Sequence, residues 1–279
     1  MGNELRKKSG MSRRVIIFLV LLAASVIVVI PYIWMLSNSF KPQVETLVDP
    51  GHLLPKNPTI YGYDKVLTQS PFFSWLANSL IVTCVNTVVI LFTSTLVGYI
   101  FSRFRFKGKA FIFAMLLFTM MVPAQVTMIT TFIIIDGIGL YDSILALIIP
   151  SFVNVFGIYL CKQSCDEIPR ELIESAKIDG AGDFKIYWKI VIPQIRPVIG
   201  ALAIFTFLEY WNDYLNPLIY LSSTDRMTLP LALSYFSTQH SADLAATMAA
   251  AALIMIPAAI VFIIFQKQFI KGISMTGMK

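Results

Sequence analysis

Glu171-Leu-Ile-Glu-Ser-Ala-Lys-Ile-Asp-Gly-Ala-Gly-Asp183, continuing to Ile190-Val-Ile-Pro193, is a polar, helix-forming island in a chain that is otherwise mostly apolar. Pro169 suits a first helical turn, where its missing N–H costs nothing. Leu172, Ile173 and Ala176 then fall on one face at helical spacing, with Arg170, Glu171, Glu174 and Lys177 on the others. Asp179-Gly180 stops this helix. Asp183 can cap a second one, in which Phe184, Tyr187, Trp188 and Val191 form a bulky stripe. Pro193 and Pro197 punctuate the entry to the next apolar run. Two readings fit this pattern: a short helix laid into the groove of a partner, or one lying on lipid headgroups.

Around the island the sequence is that of a membrane protein. Of 279 residues, 57% are hydrophobic and 14% charged, an imbalance that soluble domains of this size rarely reach. Six apolar runs are long enough to cross the hydrocarbon core, at about 20 residues each. They are Val15–Leu36, Phe73–Phe101, Ala110–Ile135, Ile144–Cys161, Val198–Leu221 and Leu244–Phe265. Pro31, Pro123, Pro150 and Pro257 interrupt four of them, which membrane helices tolerate when neighbours satisfy the freed backbone groups. The fold class is therefore an all-α integral membrane protein with six transmembrane helices. Eighteen of the 22 basic residues fall in the N-terminal segment, the second-to-third and fourth-to-fifth connectors and the C-terminal tail. The positive-inside bias places those segments, both termini and the island in the cytoplasm. Topology thus accounts for the net charge of +6, and no nucleic-acid partner is called for. The first run is too long for a signal peptide and no small-residue cleavage site closes it, so it reads as an uncleaved span.

Several chemistries are excluded. There is no Gly-x-x-x-x-Gly-Lys-Ser/Thr, so the chain does not hydrolyse ATP by that route, and any nucleotide belongs to another chain. Neither Gly-x-Ser-x-Gly nor His-Glu-x-x-His occurs, and neither His52 nor His240 lies in a span, so no catalytic residue is assigned. Cys161 and Cys165 share a helix face but lack companion histidines, so no metal site is assigned, and these cysteines and Cys84 read as buried or inert thiols. Residues 1–140 and 141–279 show no convincing internal repeat of the kind common in secondary transporters.

Polar groups inside spans are costly and mark candidates. Asn78, Asn86 and Asn154 read as interhelical hydrogen-bonding groups, as does Gln125 near the middle of the third run. The fifth run is different, holding Glu209, Trp211, Asn212, Asp213 and Asn216 with Tyr210 and Tyr214 interleaved. Glu209 and Asp213 are four apart, as are Asn212 and Asn216, which on a continuous helix pairs them on shared faces. Carboxylates, amides and aromatic faces suit a hydroxyl-rich sugar ring, and equally suit contacts to a neighbouring helix.

Glu174-Ser-Ala176, Gly180 and Ile190-Val-Ile-Pro193 resemble the EAA loop of ATP-binding-cassette importer permeases, whose pattern is Glu-Ala-Ala, three residues, Gly, nine residues, Ile, any residue, Leu, Pro. The spacing matches throughout, with Ser175 in place of the middle residue and Ile192 in place of Leu. Trp211-Asn-Asp-Tyr-Leu-Asn-Pro-Leu218, Phe40-Lys41 and the ending Phe269–Lys279 are similar to the second permease of maltose-type carbohydrate importers. The resemblance implies a type I importer permease architecture in a bacterial or archaeal cell (inner) membrane. It also implies a role for Glu174, Ser175, Ala176, Gly180, Ile190 and Pro193 in coupling to an ATPase. The expected partners are a homologous permease subunit, two ATPase subunits that bind the ATP and Mg, and an extracellular or periplasmic sugar-binding protein meeting the loops 37–71 and 222–243. Residues 1–14 are expected to be a cytoplasmic tail, 15–266 the six-span domain with its coupling loop at 162–197, and 267–279 a second cytoplasmic tail. The implied function is sugar import driven by a separate ATPase, the alternatives being an independent secondary transporter or a permease for a polyol or glycerol phosphate.

Overall fold

The computed structural model describes residues 2–238 and 243–276, and every regular element among them is a helix. His240 and the last three residues of the C-terminal tail lie outside the described residues. The order begins α1 (Gly2–Ser39), α2 (Gln43–Val48), α3 (Tyr61–Thr68), α4 (Phe72–Arg103), α5 (Lys109–Thr119) and α6 (Ala124–Gly137). It continues with α7 (Leu145–Ile148), a 3-10 turn (Ile149–Phe152) and α8 (Val155–Asp166). The island comprises α9 (Arg170–Ile178), α10 (Asp183–Ile186), a π-helical turn (Tyr187–Val191) and α11 (Ile192–Gln194). Last come α12 (Arg196–Trp211), α13 (Leu215–Tyr220), α14 (Leu229–Thr238) and α15 (Leu244–Thr276).

Four stretches are long and apolar enough to cross a bilayer unbroken: Arg14–Ser39, Phe72–Arg103, Leu145–Asp166 and Leu244–Ile264. Two more are bent pairs, α5 with α6 at 98° and Asp183–Gln194 with α12 at 78°, giving six if each pair counts as one span. The α5–α6 bend falls at Pro123, whose extended backbone (ψ 133°) and missing N–H end the first ladder.

The fifth run departs from the continuous helix expected over Val198–Leu221. Helix α12 stops at Trp211, and α13 restarts only at Leu215. Pro217 explains this: it has no N–H for the carbonyl of Asp213, and its ring clashes with that carbonyl in a helix. Asn212 and Asp213 occupy the gap and use their side chains instead. Asn212 Nδ2 donates to the Leu208 carbonyl at 2.8 Å, and Asp213 Oδ1 accepts the Asn216 amide at 3.2 Å.

The chain forms two compact units. In the unit of Met1–Ser70 and Tyr235–Ile254, Asp243 organises the start of α15. Its Oδ1 accepts the Ala246 amide at 3.0 Å, and its Oδ2 accepts from Lys65 Nζ at 2.6 Å and Tyr61 Oη at 3.2 Å. Burial pushes the Asp243 carboxyl up, but Lys65 and these other donors hold it below the usual carboxylate range. Gly62 lets α3 lie against α15, since a Cβ there would come within 2.6 Å of the Ala245 carbonyl oxygen. Lys41 is fully buried, its ammonium donating to the carbonyls of His52 (2.6 Å) and Asp49 (3.2 Å).

In the unit of Pro71–Ser234 and Met255–Lys279, α4 packs along α8 and α12. The α4–α8 contact uses small residues, as membrane helices do to bring backbones close. A Cβ on Gly98 would lie 2.8 Å from both Cys161 Cβ and the Lys162 amide nitrogen, and one on Gly157 would collide with Ser94 Oγ. Gly98→Val is therefore expected to destabilise the chain by about 1–3 kcal/mol, the usual overpacking cost. An earlier thermal transition of the detergent-solubilised protein is the readout, and an unchanged transition would refute the close packing. Asn86 bridges α4 to the 3-10 turn, donating to the Leu147 carbonyl at 3.0 Å and accepting from Ser151 Oγ at 2.7 Å. Asn78 donates to the carbonyls of Asp225 and Met227, and Asn154 accepts the Gly157 amide to cap α8. Asn78 and Asn86 thus bond to other segments as expected, whereas Asn154, expected to bond a neighbouring helix, caps its own.

Asp142 ties two loops of this unit together. Its Oδ1 accepts the amides of Ser222 and Ser223, both at 2.9 Å, and its Oδ2 accepts from Ser223 Oγ at 2.5 Å and Arg226 Nη1 at 3.3 Å. Burial pushes its carboxyl up, but the Ser223 hydroxyl and amide, the Ser222 amide and the Arg226 charge hold it down at about 2.

Candidate functional site

The island folds as two short helices around a left-handed glycine. Gly180 has φ +76°, and its amide donates to the Lys177 carbonyl at 3.0 Å while that of Ala181 donates to the Ala176 carbonyl at 2.9 Å. This paired bonding is a Schellman ending, which favours glycine because a left-handed residue carries no Cβ penalty only in that case. Lys177 and Asp183 bridge the turn at 3.3 Å, both about half exposed, so the pair contributes little.

The apolar stripes divide. Ile173, Ile186, Tyr187, Val191 and Ile195 are buried with Tyr99, Cys165 and Ile168, so one side of the island is fastened to the ends of α4 and α8. Tyr187 Oη and Thr95 Oγ1 lie 2.8 Å apart within this core, and the Arg103 guanidinium donates to the carbonyls of Cys165 and Ile168. Leu172, Ile178, Phe184 and Trp188 remain exposed, Ile178 at 86%. The expected stripe of Phe184, Tyr187, Trp188 and Val191 is thus two adjacent faces, Tyr187 and Val191 buried and Phe184 and Trp188 exposed. Among the six coupling candidates, Glu174, Ser175 and Gly180 are exposed, whereas Ala176, Ile190 and Pro193 are half-buried.

A second site is a cavity of about 850 Å³ lined by Gln125, Tyr210, Asn212, Asp213, Tyr214, Asn216 and Tyr220, with Ser151 and several threonines. Three breaks in the helices border it: the bend at 120–123, the 3-10 turn at 149–152 and the gap at 212–214. Irregular backbone at membrane depth is tolerated where it is covered by protein or lines a water-filled cavity. Asp213 Oδ2 accepts from Asn216 Nδ2 at 2.9 Å, which fixes both side chains at the wall.

Not every candidate of the fifth run joins this cavity. Glu209 is exposed and does not line it. Trp211 is buried, 1% exposed, and stacks on Phe207 with ring centroids 5.7 Å apart. The shared faces expected for Glu209 with Asp213 and Asn212 with Asn216 do not exist, because the helix ends between the members of each pair. Gln125, expected to bond a neighbouring helix, lines the cavity instead, and Ser151 and Tyr220 join it without any earlier sign. The signal that could have found them was the set of breaks at Pro123, Pro150 and Pro217. Among the described residues no group of His, Cys, Asp and Glu could hold a metal ion.

The family described as "Binding-protein-dependent transport system inner membrane component" matches residues 94–275. The arabinooligosaccharides transport system permease protein AraQ of Bacillus subtilis (strain 168) is 33% identical over 270 residues, covering 95% of this chain and 96% of that protein. The lactose transport system permease protein LacG of Rhizobium radiobacter is 30% identical, covering 91% and 92%. A crystal structure of a bacterial ABC transporter involved in the import of the acidic polysaccharide alginate contains a chain of the same fold. The TM-score is 0.82, with 24% identity over 91% of this chain and 95% of that one. With its helical fold and its matched length, the chain belongs to the binding-protein-dependent transport system inner membrane component family, and it is a multi-pass transport subunit rather than an enzyme.

Proposed function

We propose that this chain forms half of the translocation pathway of an ATP-driven importer of oligosaccharides or related carbohydrates. The observation that carries this is the convergence of three helix breaks on one cavity that mixes apolar wall with a cluster of amide, carboxylate and hydroxyl groups. Asn212, Asp213 and Asn216 supply acceptors and donors for hydroxyl groups there, and Tyr210, Tyr214 and Tyr220 supply aromatic surface. The cargoes named for AraQ and LacG support a carbohydrate. A homologous permease closes the other side of the pathway, two ATPase subunits bind the ATP and Mg, and a sugar-binding protein delivers cargo to the loops 37–71 and 222–243. Both termini and the island face the cytoplasm. Residues 1–14 and 267–279 are cytoplasmic tails, and 15–266 is the membrane domain with its coupling loop at 162–197. Glu174, Ser175, Ala176, Gly180, Ile190 and Pro193 couple the helices to the ATPase. When ATP closes the ATPases, the island transmits the motion through its buried face to the ends of α4 and α8.

The test is copurification of the tagged chain, followed by reconstitution of the complex in vesicles with a panel of labelled oligosaccharides. An ATPase is expected to copurify, and uptake of at least one carbohydrate is expected to require ATP. Uptake by the chain alone under an ion gradient, or ATP-dependent uptake confined to non-carbohydrate solutes, would overturn the proposal.

A further inference from the structure

Beside the island lies a recess of about 440 Å³ whose basic side chains have no part in the transport reading. Arg103, Arg105, Lys109, Arg170 and Lys177 line it with the carboxylates Asp166, Glu174 and Asp183. Two of those carboxylates are already engaged: Asp166 by Lys162 at 2.6 Å and Asp183 by Lys177 at 3.3 Å. Arg103 donates to the carbonyls of Cys165 and Ile168, and Lys109 to those of Phe104 (3.0 Å) and Ser102 (3.3 Å). Neither Arg105 nor Arg170 has a side-chain ion pair among the described residues. Four cations therefore face one unengaged carboxylate, Glu174.

The location of this excess charge narrows the ligand. Arg103 ends the candidate span Phe72–Arg103, Asp166 ends the candidate span Leu145–Asp166, and Lys109 begins α5, so the recess sits at the ends of three apolar helices. Lys109 also lines a second, mostly apolar groove of about 710 Å³ walled by Phe106, Phe111 and Phe113. Phe111 is 70% exposed there. A polar recess rich in guanidinium groups thus runs into an apolar groove through one shared lysine. Guanidinium groups match phosphate oxygens in a fixed fork, and basic pockets between spans on the cytoplasmic side hold anionic headgroups.

We infer that this pair of cavities binds an anionic phospholipid, its phosphate in the Arg103–Arg105–Lys109–Arg170 recess and an acyl chain along the Phe106–Phe111–Phe113 groove. The inference rests on the cytoplasmic placement of these loops proposed above, and on neither the identity of the cargo nor the coupling role of the island. A free phosphate would fill only the recess, and a neutral lipid only the groove. Because Arg170, Glu174 and Lys177 lie on α9, the bound headgroup would touch both the island and the ends of α4 and α8.

The probe is phosphatidylglycerol against phosphatidylcholine, with retention on the purified full complex read by native mass spectrometry. Phosphatidylglycerol is expected to be retained preferentially. Arg105→Ala, at an exposed residue whose loss should leave folding intact, is expected to lower that retention roughly fivefold, and Arg105→Ala with Lys109→Gln roughly twentyfold. Lys107→Ala is the control, since Lys107 is exposed in the same loop and lines neither cavity. Equal retention of the two lipids would overturn the inference. So would a loss at Lys107→Ala as large as at Arg105→Ala, which would mean only general surface attraction. Displacement of phosphatidylglycerol by inorganic phosphate would also overturn it, by showing a site for a free anion.

Discussion

Gly180→Val is expected to abolish ATP-dependent uptake while the chain inserts and assembles at ordinary levels. Gly180 stands at φ +76°, where an L side chain pays about 1–2 kcal/mol and a β-branched one more. That cost falls on the Schellman ending that sets the angle between α9 and α10. Among the described residues, a Cβ added at Gly180 meets no atom within 4 Å. The spans themselves should accordingly survive the substitution. Two effects could stop transport: a wrong turn, or a side chain intruding on a docked ATPase. Gly180→Asn separates them, because asparagine tolerates the left-handed region while still adding bulk. Recovery of uptake with asparagine assigns the glycine to the turn, and continued loss assigns it to close approach by the ATPase. Wild-type uptake with valine would remove the main support for coupling through this segment.

How far the sequence could be read differs between the two sites. The island was legible because its signals are local. A proline start, a glycine stop and helical spacing lie within a few residues, and the structure ends α9 at Ile178 with Asp179 as its cap and Gly180 left-handed. The assignment of faces was less legible. Spacing predicts which residues share a stripe, but which part of it is buried is decided by the distant Tyr99 and Cys165, which share a core with Tyr187 and Val191. In the spans, hydropathy located six apolar runs because length and composition suffice. The roles of single polar residues were harder to read. Asn86 and Gln125 look alike in sequence, yet one bridges α4 to the 3-10 turn and the other lines a cavity, since each answer depends on a distant neighbour. Trp211 resembles a platform for a sugar ring, but its helix ends in the core and the indole stacks on Phe207. The break before Leu215 had a local cause in Pro217, and the shared helix faces drawn through it ignored that residue's missing N–H.

The break also determines what Asp213 should do. Its carboxylate caps α13 through the Asn216 amide and holds the Asn216 side chain at the cavity wall. Asp213→Ala removes both functions. Loss of the cap costs about 1 kcal/mol of local stability. A hydrogen bond from a sugar hydroxyl to an ionised acceptor is worth about 1.5–3 kcal/mol, which corresponds to roughly a ten- to hundredfold loss of uptake. Copurification with the partner permease is expected to hold. Asp213→Asn keeps an oxygen for the cap but gives up the charge. It is expected to remain impaired in uptake, whereas recovery would reduce Asp213 to a structural cap. Glu209, in the last turn of α12, provides the contrast. It is exposed outside the cavity, and a lipid-facing carboxylate at this depth would cost about 2.5–3.5 kcal/mol, so its place is against protein. Glu209→Ala should therefore lower copurification with the partner permease before it lowers uptake by the complexes that form. If Asp213→Ala transports normally, or if it loses assembly in step with uptake, the cavity is not the pathway and the three helix breaks need another explanation.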